Sequence, residues 1–478
     1  MTRRASGPSS LVVVLGLITA CSGATDPTAA DAGGAVDPTA SGDGDASVAS
    51  SSSDLVPAFE SAGFTVANGK FEVLDLSTCC ASSCAGNNPS SPYATLLVPR
   101  GPGQTAPNPS ERDDGLSPTF RLRADEAVVF VGKTPPPSAY FGFTPYLHDR
   151  AKDDGERRLV AASLSETLNN AVIGVEGGGD PFSKRTVVVA AADAATVEAA
   201  KAAVVASGIP SSAVNVLVFD PTIGRFGVED AADAFGVLFR NAVPKDPAAR
   251  DAYLKDPGAS VYRLTPRTPS SPRPLPAPAA RPKDATNTEV ALEGAVDDLG
   301  AAIQAAHPAF EAEPISVNEG ASDPAKCIEG RAVCAYDNRD TNYPSTPPRL
   351  LFTSDDDFYV VYGVNHQATG KVSYANASVY ALEKLVGIIS VTSDRWAGSA
   401  QKYAPQSADA PKLYAWKLAR KCNGEPFCTE VPKGGCPTGI DNGKLGTLTF
   451  RTYLEPGTHT APAPATLVRD RVLRFRKP

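Results

Sequence analysis

Methionine is almost missing from this chain: there is one in 478 residues, beside only four histidines and two tryptophans. So few histidines leave little room for a three-histidine metal site, because His148, His307, His366 and His459 would have to converge from distant segments. Also missing are a G-x-S-x-G elbow, an H-E-x-x-H pair, a P-loop and a G-x-G-x-x-G turn, so the common hydrolase, zinc-protease and nucleotide signatures are absent. No metal and no cofactor is expected. Positive charge is in deficit as well. With 53 Asp+Glu against 45 Lys+Arg the formal charge is −8, which argues against general affinity for nucleic acid. What remains is ordinary globular material, 42% hydrophobic and 21% charged, long enough for two or three domains at roughly 150 residues each.

The N-terminus carries the clearest signal. Arg3 and Arg4 precede an apolar run from Leu11 to Ala20, too short for a permanent membrane helix but suited to a signal-peptide core. The run ends Ile18-Thr19-Ala20-Cys21, an aliphatic residue, two small ones and a cysteine. This resembles the lipobox of bacterial lipoprotein precursors, over about twenty residues. The resemblance implies cleavage before Cys21, a lipid on that cysteine, and a mature protein held at the bacterial cell envelope, facing the periplasm or the exterior. Its membrane partner would be reached through Cys21 alone. Residues 22–53 contain two Val and no other large apolar side chain, so residues 21–53 read as a disordered tether.

Two folded bodies are expected beyond the tether, at 54–265 and 286–478, joined by a Pro-rich linker at 266–285. Pro266 to Pro282 holds seven prolines in seventeen residues, and proline supplies neither a free φ nor an N–H. In the first body Thr186–Ala190 reads as a strand and Asp193 as the cap of a helix from Ala194 to Ser207. Gly208 then ends the helix and Val214–Phe219 forms the next strand. The pattern points to an α+β fold, two mixed α/β bodies whose sheets are covered by helices and stapled by disulfides. The second body is the richer in strands.

Eight cysteines besides Cys21 fall in clusters of three, two and three: Cys79, Cys80, Cys84; Cys327, Cys334; Cys422, Cys428, Cys436. In an exported chain disulfides are the default. If all eight pair, a cluster of three cannot satisfy itself, so at least one bridge must leave the first cluster. The simplest scheme joins Cys327 to Cys334 and one cysteine of the first cluster to one of the last.

One strand, Phe358–Tyr362, runs on into Gly363-Val364-Asn365-His366, and polar groups at a strand end are placed to face a cleft. Upstream lies Tyr336-Asp337-Asn338-Arg339-Asp340. Asp337 or Asp340 beside His366 would make a general acid/base pair, and Arg339 could hold an anion. Two functions are therefore carried forward. The first is a lipid-anchored lipoprotein with a binding or envelope-associated, non-catalytic role and a protein or small-molecule partner. The second is a cell-surface hydrolase using His366 with Asp337 or Asp340. The missing nucleophile motif favours the first.

Overall fold

A computed structural model describes residues 55–478 apart from 76, 77, 82, 85, 270, 321, 322 and 333. The signal segment, Cys21 and the 21–53 tether lie outside the described residues. The first half of the chain runs through α1 (Leu55–Ser61), β1 (Phe64–Val73), β2 (Tyr93–Pro99), the two-residue β3 (Leu116–Ser117), β4 (Ala127–Lys133), β5 (Ser138–Ala151), β6 (Arg157–Ser163) and β7 (Leu168–Asn169). It continues with β8 (Arg185–Ala191), α2 (Ala194–Ala206), β9 (Val214–Val218), β10 (Ala234–Pro244), α3 (Pro247–Lys255) and β11 (Ser260–Pro266). These strands form one sheet in the order β6-β5-β10-β2-β1-β11-β4-β8-β9, with β3 on β2 and β7 on β5. Among the described strands of this sheet only β8 and β9 run parallel, joined by α2.

Alternation along the central strands feeds two cores. In β4, Val129 and Val131 pack with α1 and α2, while Val128 and Phe130 face the other way. On that second face the sheet curls onto itself: Phe130 of β4 meets Phe143 of β5 at 5.1 Å and Phe71 of β1 at 5.3 Å, although β4 and β5 are far apart in strand order. Between them, β11 carries a fully buried ion pair. Arg263 donates from Nε and Nη2 to Glu126 at 3.0 and 2.5 Å.

The second half contains α4 (Glu293–Ala305), β12 (Glu311–Ile315), α5 (Pro324–Ile328), β13 (Thr341–Asn342), β14 (Phe358–Val364), β15 (Tyr374–Ala381) and β16 (Val386–Thr392). It ends with β17 (Leu413–Ala419), β18 (Cys428–Glu430), β19 (Gly446–Tyr453) and β20 (Arg471–Arg476). Two sheets result, β12-β20-β14-β17-β18 and β13-β19-β15-β16. They share a core of Tyr359, Val361, Trp416, Val379 and Phe450 among others, and α4 covers the outer face of the first with Val296, Leu299 and Ile303.

The expected α+β architecture is corrected by this arrangement. Among the described residues strand accounts for 34% and helix for 17%, too little helix to cover the sheets. Of the five α-helices among the described residues, α3 buries no side chain and α5 spans five residues. The sheets instead cover one another or curl on themselves, and their doubly buried strands leave no need for a helical layer.

Among the described residues there are four disulfides: Cys79–Cys84, Cys80–Cys436, Cys327–Cys334 and Cys422–Cys428. One bridge leaves the first cluster, as parity requires, and it passes to the last cluster, as in the simplest scheme. The halves are also knitted without sulfur. Cys327 and Cys334 are buried in the core of the first sheet, where Arg158 of β6 donates to the Cys327 carbonyl at 2.8 Å. Gly387 N donates to Asn87 Oδ1 at 2.9 Å, and Cys84 N to the Lys384 carbonyl at 2.8 Å. The Pro-rich stretch lies along the first half, with Leu275 N bonded to the Ala192 carbonyl at 2.8 Å.

Candidate functional site

Strand β14 is buried along its whole length and delivers Asn365 and His366 at its end. A turn then fixes them. Asn365 N donates to the Lys412 carbonyl at 2.8 Å, Asn365 Oδ1 accepts from Ala368 N at 3.3 Å, and Lys371 N donates to the His366 carbonyl at 2.9 Å. Asn365 thus serves the turn, while the His366 ring is left to interact elsewhere.

The carboxylate on His366 is Glu289, at the entry to α4. Nδ1 and Glu289 Oε2 are 2.6 Å apart, and the Thr369 hydroxyl donates to the other carboxylate oxygen. Both groups are almost wholly buried. Burial disfavours each charge, yet the mutual hydrogen bond and attraction outweigh it, so His366 is raised above its ordinary pKa and Glu289 lowered below its own. Beside them Lys371 Nζ donates to Glu455 Oε1 at 2.6 Å, a second buried pair. Asp470, at the start of β20, accepts from Tyr414 Oη at 2.6 Å. Burial raises its pKa, against the charge of nearby His366.

These groups underlie a cleft of ≈ 570 Å³, whose lining includes Ser316, Asn342, Tyr362, His366, Thr452 and Asp470. At its rim Arg469 pairs with Glu319 at 3.1 Å and Arg471 with Asp297. With Nδ1 committed to Glu289, His366 has Nε2 remaining, and among the described residues Nε2 has no hydrogen-bond partner. A histidine oriented in this way can donate to a ligand or accept a proton from one. Buried titratable groups under a cleft mark the best-defined site of the molecule.

Asp337, Arg339 and Asp340 do not line this cleft. They occupy the seam between the two halves. Asp337 accepts from Ser163 N at 2.8 Å and from Ser163 Oγ at 2.6 Å, and burial raises its pKa. Arg339 Nε donates to Ser163 Oγ at 3.2 Å, and its Nη1 lies 3.6 Å from Glu166. Asp340 accepts from Asn169 at 2.9 Å and Tyr140 at 3.0 Å, with Arg281 of the Pro-rich stretch at 3.4 Å. Burial pushes its pKa up to about 7, against those partners. The expected pairing of His366 with Asp337 or Asp340 is therefore replaced by Glu289, which is 77 residues away in sequence and gave no local spacing to find. Asp470 was missed for the same reason, and Lys371, though close to His366 in the chain, pairs with Glu455, 84 residues away. Cys79, Cys80 and Cys84 bring three sulfurs together, but each is spent in a disulfide.

No protein-family description matches the chain, and no curated protein does. Among solved structures it is similar to a putative uncharacterized protein from Burkholderia cenocepacia, at 13% identity and TM-score 0.34, over 89% of this chain and 86% of that one. It is also similar to a protein from Vibrio parahaemolyticus, at 9% identity and TM-score 0.39, over 82% and 90%. At these scores the likeness carries no argument about function.

Proposed function

We propose that the chain is an exported binding protein of the bacterial envelope, anchored by lipid on Cys21, which takes a small polar ligand in the cleft above His366. The observation that carries the binding site is His366, held by buried Glu289 and lining a ≈ 570 Å³ cleft together with Asp470. An imidazole fixed at Nδ1 offers one directed donor or acceptor, and Asn342 and Thr452 add polar groups to a mixed lining. Among the described residues no hydroxyl or thiol is bonded to His366 Nε2, so the geometry supports recognition better than covalent chemistry.

The test uses the full-length protein in detergent, screened by thermal unfolding against sugars, amino acids, short peptides and small metabolites. Hits should shift the wild type and not His366→Gln or Asp470→Asn. A hit that stabilises all three equally would remove the cleft from the reading. The anchor has its own test: labelling with a fatty-acid analogue should mark the wild type and not Cys21→Ala, and equal labelling would sink it.

A further inference from the structure

The seam between the halves holds two arginines that, among the described residues, no carboxylate pairs. Arg240 of β10 is 2% exposed and Arg451 of β19 4% exposed. Arg240 spends its donors on neutral groups: Thr144 Oγ1 at 3.2 Å, Tyr146 Oη at 2.8 Å and the Tyr336 carbonyl at 2.9 Å. Its guanidinium also stands 5.4 Å from the Tyr93 ring. Arg451 Nη2 donates to the Gly86 carbonyl at 3.3 Å, while Nη1 and the nearby Tyr380 hydroxyl, both buried, each lack a partner at hydrogen-bond distance. Its guanidinium lies 5.5 Å from the rings of both Tyr343 and Tyr380.

Elsewhere Arg263 is neutralised directly by Glu126 and Lys371 by Glu455, while Arg420 spends its donors on Asn442 and two carbonyls. Here the nearby acids are committed. Asp337, which faces Arg240, is hydrogen-bonded to Ser163, and Asp340 is held by Tyr140, Asn169 and Arg281. Both guanidinium groups lie within electrostatic reach of the same three tyrosines, Tyr93, Tyr343 and Tyr453. Burial raises Tyr343 and Tyr453 above their ordinary range, so these hydroxyls stay neutral and supply no negative charge. An unpaired buried charge is among the costliest features a fold can carry, and an unmet guanidinium donor adds to it.

We infer that the seam is an internal oxyanion site, in which a phosphate, sulfate or carboxylate group sits between Arg240 and Arg451 against a wall of tyrosine hydroxyls. Arginine's planar fork suits an oxyanion, and a water-poor setting strengthens each charge-assisted bond. The site is separate from the cleft at His366 and stands whether or not that cleft binds a ligand.

The test takes full-length protein in detergent, freed of added oxyanions. Thermal unfolding is followed in inorganic phosphate, sulfate or acetate from 0.1 to 10 mM, with sodium chloride holding ionic strength constant. Anion released on acid unfolding is measured in parallel. The wild-type midpoint should rise by a few degrees with the preferred oxyanion, as expected for a ligand at about a hundred times its Kd. Alternatively, an anion already bound should be released at about one per chain. Arg451→Gln should lose the shift, and Arg451→Lys should keep part of it. If no oxyanion moves the wild type and none is released, the seam closes on water and the inference fails. An equal shift in wild type and Arg451→Gln marks a general salt effect and overturns it too. Should Arg451→Gln not fold, the released-anion measurement on the wild type decides.

Discussion

His366 and Asp340 are both buried, and their surroundings drive them to opposite pH behaviour. For His366 and Glu289 the hydrogen bond wins over burial. A raised histidine stabilises fully below its unfolded pKa and loses that contribution as pH rises through the folded value. A lowered glutamate stabilises above its unfolded pKa and loses it as pH falls through the folded value. Both contributions are complete between about pH 4.5 and 6.5. In that window Glu289→Gln should cost roughly 3 kcal/mol, shrinking on either side, as read from urea unfolding at a series of pH values. A cost that ignores pH would mean the pair is not ionised. Asp340 is the reverse case. Its folded form keeps a proton up to about pH 7, so the wild type should lose stability from about pH 4 to 7, on the order of 1.4 kcal/mol per unit. Asp340→Asn should have a shallower slope over that range, with the buried Asp337 and Asp470 keeping their own contributions, and an unchanged slope would place the titration elsewhere.

Individual elements differ in how much of them the sequence shows. The unit β8–α2–β9 was legible because its signals are local. Asp193 accepts from Thr196 N at 2.8 Å, α2 stops at Ala206, and Gly208 follows at φ 88°. Helix α3 likewise has local signals at its start, Pro247 in the first turn and Asp246 accepting from Ala248 N at 2.9 Å. Strand β5 was illegible: Tyr140 to Leu147 is buried on both faces, so alternation disappears and the run reads as a core segment trailing into a loop. The same holds for β17, and Glu289 shares no spacing with His366. Asp193 does more than cap, since its side chain also accepts from Arg273 N in the Pro-rich stretch. Asp193→Ala should therefore cost roughly 1–2 kcal/mol. It should also speed limited proteolysis between residues 267 and 283, where a cap acting alone would leave the cleavage rate unchanged.

At the scale of the whole molecule, counting served better than patterning. Helix-like stretches overstated the helical layer, because periodicity shows what a segment forms and not what covers it. The cysteine clusters, by contrast, constrained the pairing through parity alone. Cys80–Cys436 closes a sequence separation of 356 residues. Replacing both cysteines with serine should lower stability by about 2–5 kcal/mol, measured as a shifted denaturant midpoint. A non-reducing peptide map of the wild type should yield one peptide joining the two halves. A map with bridges only inside each cluster would contradict the fold.

That bridge also sets how the molecule would carry mechanical load. A protein tethered by its N-terminal end and gripping a ligand in the cleft is pulled between those two points. The covalent path runs through α1 and β1 to Cys80, crosses to Cys436, and reaches Asp470 a few dozen residues later. Tension would bypass most of the first sheet, and only α1, β1 and the stretch after Cys436 would lie in series with the force.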